Sequence, residues 1–351
     1  MDVRYVAYTG KASNVLKNKG CPGATTIHKL IYHSIMLPNG KYKYTQRASL
    51  EGYPSVIVVD EVSMVPKKMW DILCSYNAYI IACGDPEQLP PVCDNKDEDP
   101  NNHLLDHPHI FLDEIMRQAQ ESEIIRLSMH VRQGNPISTF EAKGEEVKIV
   151  NNEEVSSSML LWSDQVLCAT NINCNKLNYQ MRNAIGLTGD PQIGDKIINR
   201  HNEWDIASST GNPLTNGVIG KVCDYIKSDK MIYPGSVRSQ RSDFEVPVYL
   251  CNIADEDSGI FSGIIMDYNL FNGKDKSLSG REEYIITRRL KQFIPLVFTY
   301  GYAITVWKAQ GSEWDKVVLF EEGWPRDREE HRKYLYTGIT RAAEKLVVVI
   351  K

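Results

Sequence analysis

The stretch SVIVVDEVSMV, Ser55 to Val65, puts four β-branched apolar residues directly ahead of an acidic pair. Such a run, with no polar alternation, reads as a strand buried on both faces, as in parallel sheets covered by helices. Asp60 and Glu61 fall where the strand emerges, and ligands of open α/β sheets bind outside that carboxyl end. An aspartate there can hold the Mg²⁺ of a nucleotide, directly or through water, and a glutamate beside it can orient and deprotonate an attacking water. The same pair could instead cap the helix that follows Pro66.

The neighbouring sequence supports the α/β reading. YIIACGD, Tyr79 to Asp85, is a second strand ending at the same edge, and it runs into GDPEQLPPV. Pro86, Pro90 and Pro91 fix φ and stiffen that loop, which would hold Gln88 where its amide senses a terminal phosphate. VRYVAY, KASNVLKN, SVIVVD and KKMWDILCSY alternate strand and helix patterns in the order a parallel sheet requires.

Between Tyr32 and Tyr53 the pattern breaks into IMLPNGKYKYTQ, where Pro-Asn-Gly separates two strand-like segments and reads as an inserted β-hairpin. Lys41, Tyr42, Lys43 and Tyr44 alternate cation and aromatic, so one strand face carries both tyrosines. From Glu121 to Arg132, Ile124, Leu127, Ser128 and Val131 recur at helical spacing, and Gly134 with Pro136 ends the helix. DQVLCAT and NINCNKLNYQMRNAI then begin a second α/β set. From Gly194 to Phe293, GDKIINR, NGVIGKVCDYI, DFEVPVYLCNI and REEYIITR read as short strands of a small all-β module inserted into it. After this, GYAITVWKAQG, DKVVLFEE, a helix around Arg328 to Arg341 and KLVVVI restore the α/β pattern.

Composition narrows the class. At 351 residues, 42% hydrophobic and 24% charged, the chain has the composition of a soluble protein of more than one domain. No apolar run approaches the roughly 20 residues of a membrane span, and MDVRYVAYTG lacks the features of a secretion signal. Eight cysteines without a C-x-x-C pair read as reduced thiols of a cytoplasmic protein. A net charge of −5 argues against whole-surface attraction to nucleic acid, yet acid concentrated in DNKDEDP and EEGWPRDREE leaves other faces free to be basic.

VAYTGKASNVL, Val6 to Leu16, looks like a phosphate loop but fails at both ends, since Tyr5 stands at the glycine position and Ala12 follows Lys11. NGVIGKV also lacks the hydroxyl after its lysine, so the 351 residues contain no recognisable phosphate loop.

DEVSMV, GDPEQLPPV, ITVWKAQGSEWDKVVLF and YLYTGITRAAEKLVVV, in that order, resemble motifs II, III, V and VI of the superfamily 1 DNA helicases. TGKAS followed by ATTIHKL, with a helix opening MRQAQESEIIRL, is most similar to the RecD/Dda-type branch, which moves 5′ to 3′. The resemblance runs from residue 6 to residue 350.

The resemblance implies an α/β fold of two RecA-like parallel-sheet lobes with ATP and Mg²⁺ between them. The first lobe is expected over residues 1–110, with a β-hairpin pin insert at 33–53. The second is expected over 111–193 and 294–351, with a small β-barrel insert at 194–293. TGKAS corresponds to motif Ia, which contacts DNA, so Thr9, Lys11, Thr25, Thr26 and His28 become candidate DNA contacts. Where the family has proline stands Tyr8, which either stacks on a base or is partly buried. Motif V adds Lys308, Gln310 and Ser312 as DNA contacts and Gly311 on the nucleotide side, with Trp307 in place of a histidine as contact, stacking surface or core filler.

Asp60 is then the metal ligand and Glu61 and Gln88 act on the attacking water. Arg117 and Arg341 correspond to the two arginines that stabilise charge on the transferring phosphoryl group. In this family the phosphate loop lies just upstream of motif Ia, on a strand and helix that precede residue 1. The first lobe is therefore expected to be N-terminally incomplete and the 351-residue chain ATPase-deficient. The expected protein is a monomeric, membrane-free 5′ to 3′ translocase on single-stranded DNA and duplex junctions, cytoplasmic in a bacterial or phage-infected cell. The alternative is a non-catalytic DNA-binding or scaffold protein derived from a helicase.

Overall fold

The computed structural model describes residues 2–38, 42–91, 101–112, 121–239, 241–256 and 259–351. It divides into two compact units, one of Met1–Ile27, Glu51–Ile185 and Tyr302–Lys351, the other of His28–Leu50 and Gly186–Gly301.

The first unit holds two parallel sheets. With strands numbered in chain order, one is formed by β1 (Val3–Ala7), β2 (Thr25–Thr26), β5 (Val56–Asp60) and β6 (Tyr79–Ala82), in the order β2-β1-β5-β6. Ile57 and Val59 of β5 are fully buried, as the unbroken apolar run predicts. Ala7 registers with Asp60 and Val59 with Ala82, so three strands finish at one level. Cys83 N donates to Val59 O and Val62 N to Cys83 O, which ties the exits of β5 and β6 together. Thr9 caps the helix Gly10–Asn18, its Oγ1 accepting from Ala12 N at 3.2 Å.

The other parallel sheet contains β7 (Val147–Asn151), β8 (Gln165–Cys168), β16 (Ala303–Thr305), β17 (Trp314–Phe320) and β18 (Ala342–Ile350), ordered β16-β8-β17-β18-β7. Its centre is Val317, Val318, Leu319, Leu346 and Val348, all buried. The helix Glu123–Arg132 buries Ile124, Leu127, Ser128 and Val131, the face its spacing predicts, and Gly134 follows at φ 81° to close it. Asp327 caps the helix Arg328–Ile339 by accepting from Glu329 N and Glu330 N.

In the second unit, β3 (Tyr32–Met36) and β4 (Tyr42–Gln46) form the antiparallel hairpin. Beside them stands an antiparallel sheet of β14 (Ile260–Asp267), β13 (Phe244–Asp255), β12 (Ile219–Tyr233), β9 (Lys196–Asn199) and β15 (Phe298–Tyr300), in that order. Leu296, just ahead of β15, bonds back to β14 through Leu296 N to Ile265 O and Asp267 N to Leu296 O, so the sheet curls towards closure. A short pair, β10 (Glu203–Ala207) and β11 (Pro213–Leu214), completes the unit.

REEYIITR is a correction to the sequence reading, since it is helical: an α-turn Gly280–Tyr284 runs into a π-turn Ile285–Arg289. The cause is a capping box in which Ser279 Oγ accepts from Glu282 N while Glu282 Oε2 accepts from Ser279 N. That start signal outweighs the strand preference of the isoleucines.

Candidate nucleotide and nucleic-acid site

Asp60 closes β5 and Glu61 turns the chain with φ 52°, left-handed backbone that costs a non-glycine residue about 1–3 kcal/mol and clusters at functional sites. Asn102 Nδ2 holds the turn by donating to Val62 O and Val65 O, both at 2.8 Å. The acidic pair does not cap the following helix by a side-chain bond; Pro66 takes that position. Burial pushes the Glu61 carboxyl above its ordinary pKa; the guanidinium of Arg341 opposes this, while the charges of Asp60 and Asp85 add to it. The carboxylate of Asp60 makes no side-chain hydrogen bond among the described residues and is available to a cation.

Gln88 is brought to the same place by a shaped loop. Asp85 Oδ1 accepts from Glu87 N at 2.9 Å, and Asp85 O accepts from Gln88 N at 3.2 Å. Gln88 is 9% exposed, and its Oε1 has no hydrogen-bond partner among the described residues. A buried acceptor left unmade costs about 1–3 kcal/mol, so the group is set for a partner beyond the described residues.

Arg341 enters from the other sheet. It is 8% exposed, and Nε donates to Thr337 O, Nη1 to Ser312 O and Nη2 to Thr340 Oγ1, each at 3.1 Å. Burial lowers its pKa, against which Glu61 and Glu313 act most strongly. Its remaining N–H groups make no hydrogen bond among the described residues and can meet charge developing beside Glu61. Arg117 lies outside the described residues.

Sequence reasoning missed the ties that hold these groups in register. Tyr336 donates to Asp85 Oδ2 at 2.7 Å, Leu89 N donates to Thr337 Oγ1 at 2.9 Å, and Gln310 Nε2 donates to Leu89 O at 3.1 Å. Arg332 pairs with Glu87, which Arg132 also approaches at 3.8 Å. A signal existed: Arg332 and Tyr336 are spaced i, i+4 on one helix face, opposite Glu87 and Asp85 in GDPEQ.

The expected DNA contacts are placed unevenly. Gln310 and Ser312 are 2% and 6% exposed and Thr26 is 3% exposed, so in this arrangement all three lie in the interior. Gln310 is occupied by Leu89, and Ser312 O by Arg341. Gly311, expected on the nucleotide side, instead packs on Ala12: a Cβ there would lie 2.9 Å from Ala12 Cβ. Lys11 Nζ sits 4.9 Å from the ring centroid of Trp314, and Lys308 Nζ donates to Asn171 Oδ1 at 3.0 Å. Thr25 is half-buried with its Oγ1 unpartnered. Half-buried Trp307 packs 5.7 Å from buried Tyr334, and Tyr8 is half-buried with its hydroxyl pKa raised by burial. In the second unit His28, Tyr32 and Tyr44 form a ring cluster with centroids 5.8–6.0 Å apart.

Two parallel α/β sheets that bring carboxylates and a glutamine from one against an arginine from the other define the class of two-lobed RecA-like proteins. The model of the UvrD-like helicase C-terminal domain matches residues 300–349, and that of an AAA domain matches residues 1–153. The chain is 23% identical over 373 aligned residues to the ATP-dependent RecD2 DNA helicase of Deinococcus radiodurans, covering 98% of this chain and 42% of that protein. An uncharacterized protein of Acanthamoeba polyphaga mimivirus is 40% identical over 106 residues, 26% of this chain and 21% of the viral protein. The fold is similar to that of the Pif1 helicase from Candida albicans, with a TM-score of 0.51, 15% identity, and coverage of 99% of this chain and 90% of that one. In motifs, fold and relatives the chain is similar to the superfamily 1 helicases of the RecD/Pif1-like type. It spans about two fifths of the length of the RecD2 relative.

Proposed function

We propose that the chain is the core of an ATP-dependent DNA translocase that moves 5′ to 3′ on single-stranded DNA and works at duplex junctions. The observation that carries this reading is the buried Gln88 Oε1, unpartnered among the described residues, on the loop of Asp85, whose charge acts on Glu61 together with the guanidinium of Arg341. A buried acceptor, a free carboxylate at Asp60 and a cation from the other lobe fit a nucleotide with Mg²⁺. Asp60 would hold the metal, which would neutralise phosphate charge when bound. Gln88 and Glu61 orient and deprotonate water, and Arg341 stabilises charge on the phosphoryl group. Because Arg341 is also bonded to Ser312 O beside Gly311, a change at the nucleotide reaches the contact with the helix of Lys11. Lobe opening and closing would then alternate the grip on the strand.

We further propose that the protein acts as a monomer in the cytoplasm of a bacterial or phage-infected cell. Among the described residues no helix is long and apolar enough to cross a membrane. The 351 residues contain no phosphate loop, so on this reading they hydrolyse little ATP by themselves. The same feature favours a second reading, a non-catalytic DNA-binding or scaffold protein. ATP turnover with and without single-stranded DNA, in the presence of a phosphate loop joined ahead of Met1, separates the two: the motor turns over and the scaffold does not.

A further inference from the structure

The turn from Ile285 to Ile294 in the second unit sorts its residues by side. Ile286 is fully buried, and Ile285 and Ile294 pack on the core of Tyr233, Val237, Phe244, Val246, Val248 and Leu278. Residues 288–293, RRLKQF, are all exposed, with Phe293 at 76%. The backbone is held firmly: Leu290 N donates to Ile285 O and Gln292 N to Ile286 O, both at 3.0 Å, and Tyr233 Oη donates to Phe293 O at 2.7 Å. Lys291 adopts φ 57° directly after the π-turn. Single π-turns and left-handed non-glycine residues both recur at functional sites.

The charges on this turn are unbalanced. Arg288, Arg289 and Lys291 make no ion pair among the described residues. The nearest acids in sequence, Glu282 and Glu283, are engaged with Arg238 and Lys276. Three cations within four positions, beside an exposed aromatic ring and in a chain of net charge −5, form a local field of the opposite sign to the molecule. A solvated surface run has no need of a bonded, core-anchored backbone.

We propose that Arg288, Arg289, Lys291 and Phe293 form a second binding site for single-stranded DNA on the β-rich module, the cations pairing with phosphates and Phe293 stacking on a base. The proposal rests on the nucleic-acid reading above. An exposed base face is what Phe293 selects, and that makes the ligand a single strand and not a duplex.

The test is fluorescence anisotropy with a labelled oligodeoxythymidine and the full chain, across a salt series. The variants are R288E/R289E/K291E, R288Q/R289Q/K291Q, F293A and K11A, each checked for folding by circular dichroism. The triple reversal should weaken binding at least about tenfold and lower the slope of log affinity against log salt by about 2, near 0.7 per lost phosphate contact; the milder glutamine set lowers the slope equally. F293A should weaken binding roughly 5- to 150-fold with the slope unchanged. If K11A weakens binding while the turn variants match wild type in affinity and slope, this proposal is overturned and the nucleic-acid reading stands. If the turn variants lose only affinity for polyglutamate, the turn is an acidic-protein site and the proposal is also overturned. If wild type does not bind the oligonucleotide, both fall.

Discussion

The hydroxyl of Tyr336 donates to Asp85 Oδ2 at 2.7 Å, joining the helix that leads to Arg341 to the loop that carries Gln88. The same carboxylate shapes that loop through Glu87 N, so one bond sets the distance between the two groups that would meet a terminal phosphate. Tyr336→Phe leaves a half-buried carboxylate oxygen unmade and should cost about 1–3 kcal/mol. Differential scanning calorimetry would register this as a melting temperature lower by about 2–4 °C per kcal/mol.

Gly311 is required twice over. Its φ is 76°, and a Cβ there would meet Ala12 Cβ at 2.9 Å and Ala12 Cα at 3.3 Å. Gly311→Ala should destabilise by about 1–3 kcal/mol from strained backbone alone, and more from the clash. Adding Ala12→Gly should recover the clash component and not the backbone component, which a double-mutant cycle by urea denaturation separates.

Glu61 gives the molecule a pH signature. Burial raises its folded-state pKa above the unfolded value, so the folded form holds the proton more tightly. The resulting stability is present at low pH and is lost as pH rises from the unfolded value through the folded one. Glu61→Gln should leave stability unchanged near pH 4 and raise it by about 0.5–2 kcal/mol at pH 7–8, while abolishing any turnover. Equal effects at both pH values in thermal melts would refute this.

Lys11 Nζ lies 4.9 Å from the ring centroid of Trp314, a contact with which a phosphate can compete. Lys11→Ala should weaken single-stranded DNA binding and lower the salt slope by about 0.7. Trp314→Leu, which removes the ring and keeps the charge, should keep the slope of wild type. Titration at several salt concentrations measures both.

The continuous apolar runs of β5, β17 and β18 made the parallel sheets legible, because burial on both faces leaves no alternation to confuse with helix. The positions of Asp60, Glu61 and Gln88 at strand ends and on a Pro-stiffened loop were legible from the local sequence; that Arg341 acts on Glu61 was not, because it comes from a distant part of the chain. The burial of Gln310 and Ser312 was not legible because a polar side chain at a loop is compatible with either solvent or a packed contact, and the packing of Gly311 on Ala12 is a tertiary fact. Tyr336 was passed over because its partner lies 251 residues away. REEYIITR misled because two isoleucines outweighed the Ser279–Glu282 cap in a local reading.

The central claim is a nucleotide site divided between two lobes that still needs a phosphate loop. The direct measurement is ATP hydrolysis with and without single-stranded DNA, for the 351-residue chain and for a form in which a strand, a GxxxxGK[ST] loop and a helix precede Met1. The expected result is negligible turnover by the first, DNA-stimulated turnover by the second, and its loss in Arg341→Ala of that form. Robust DNA-stimulated turnover by the 351 residues alone, or a loop-bearing form that ignores DNA, would contradict it.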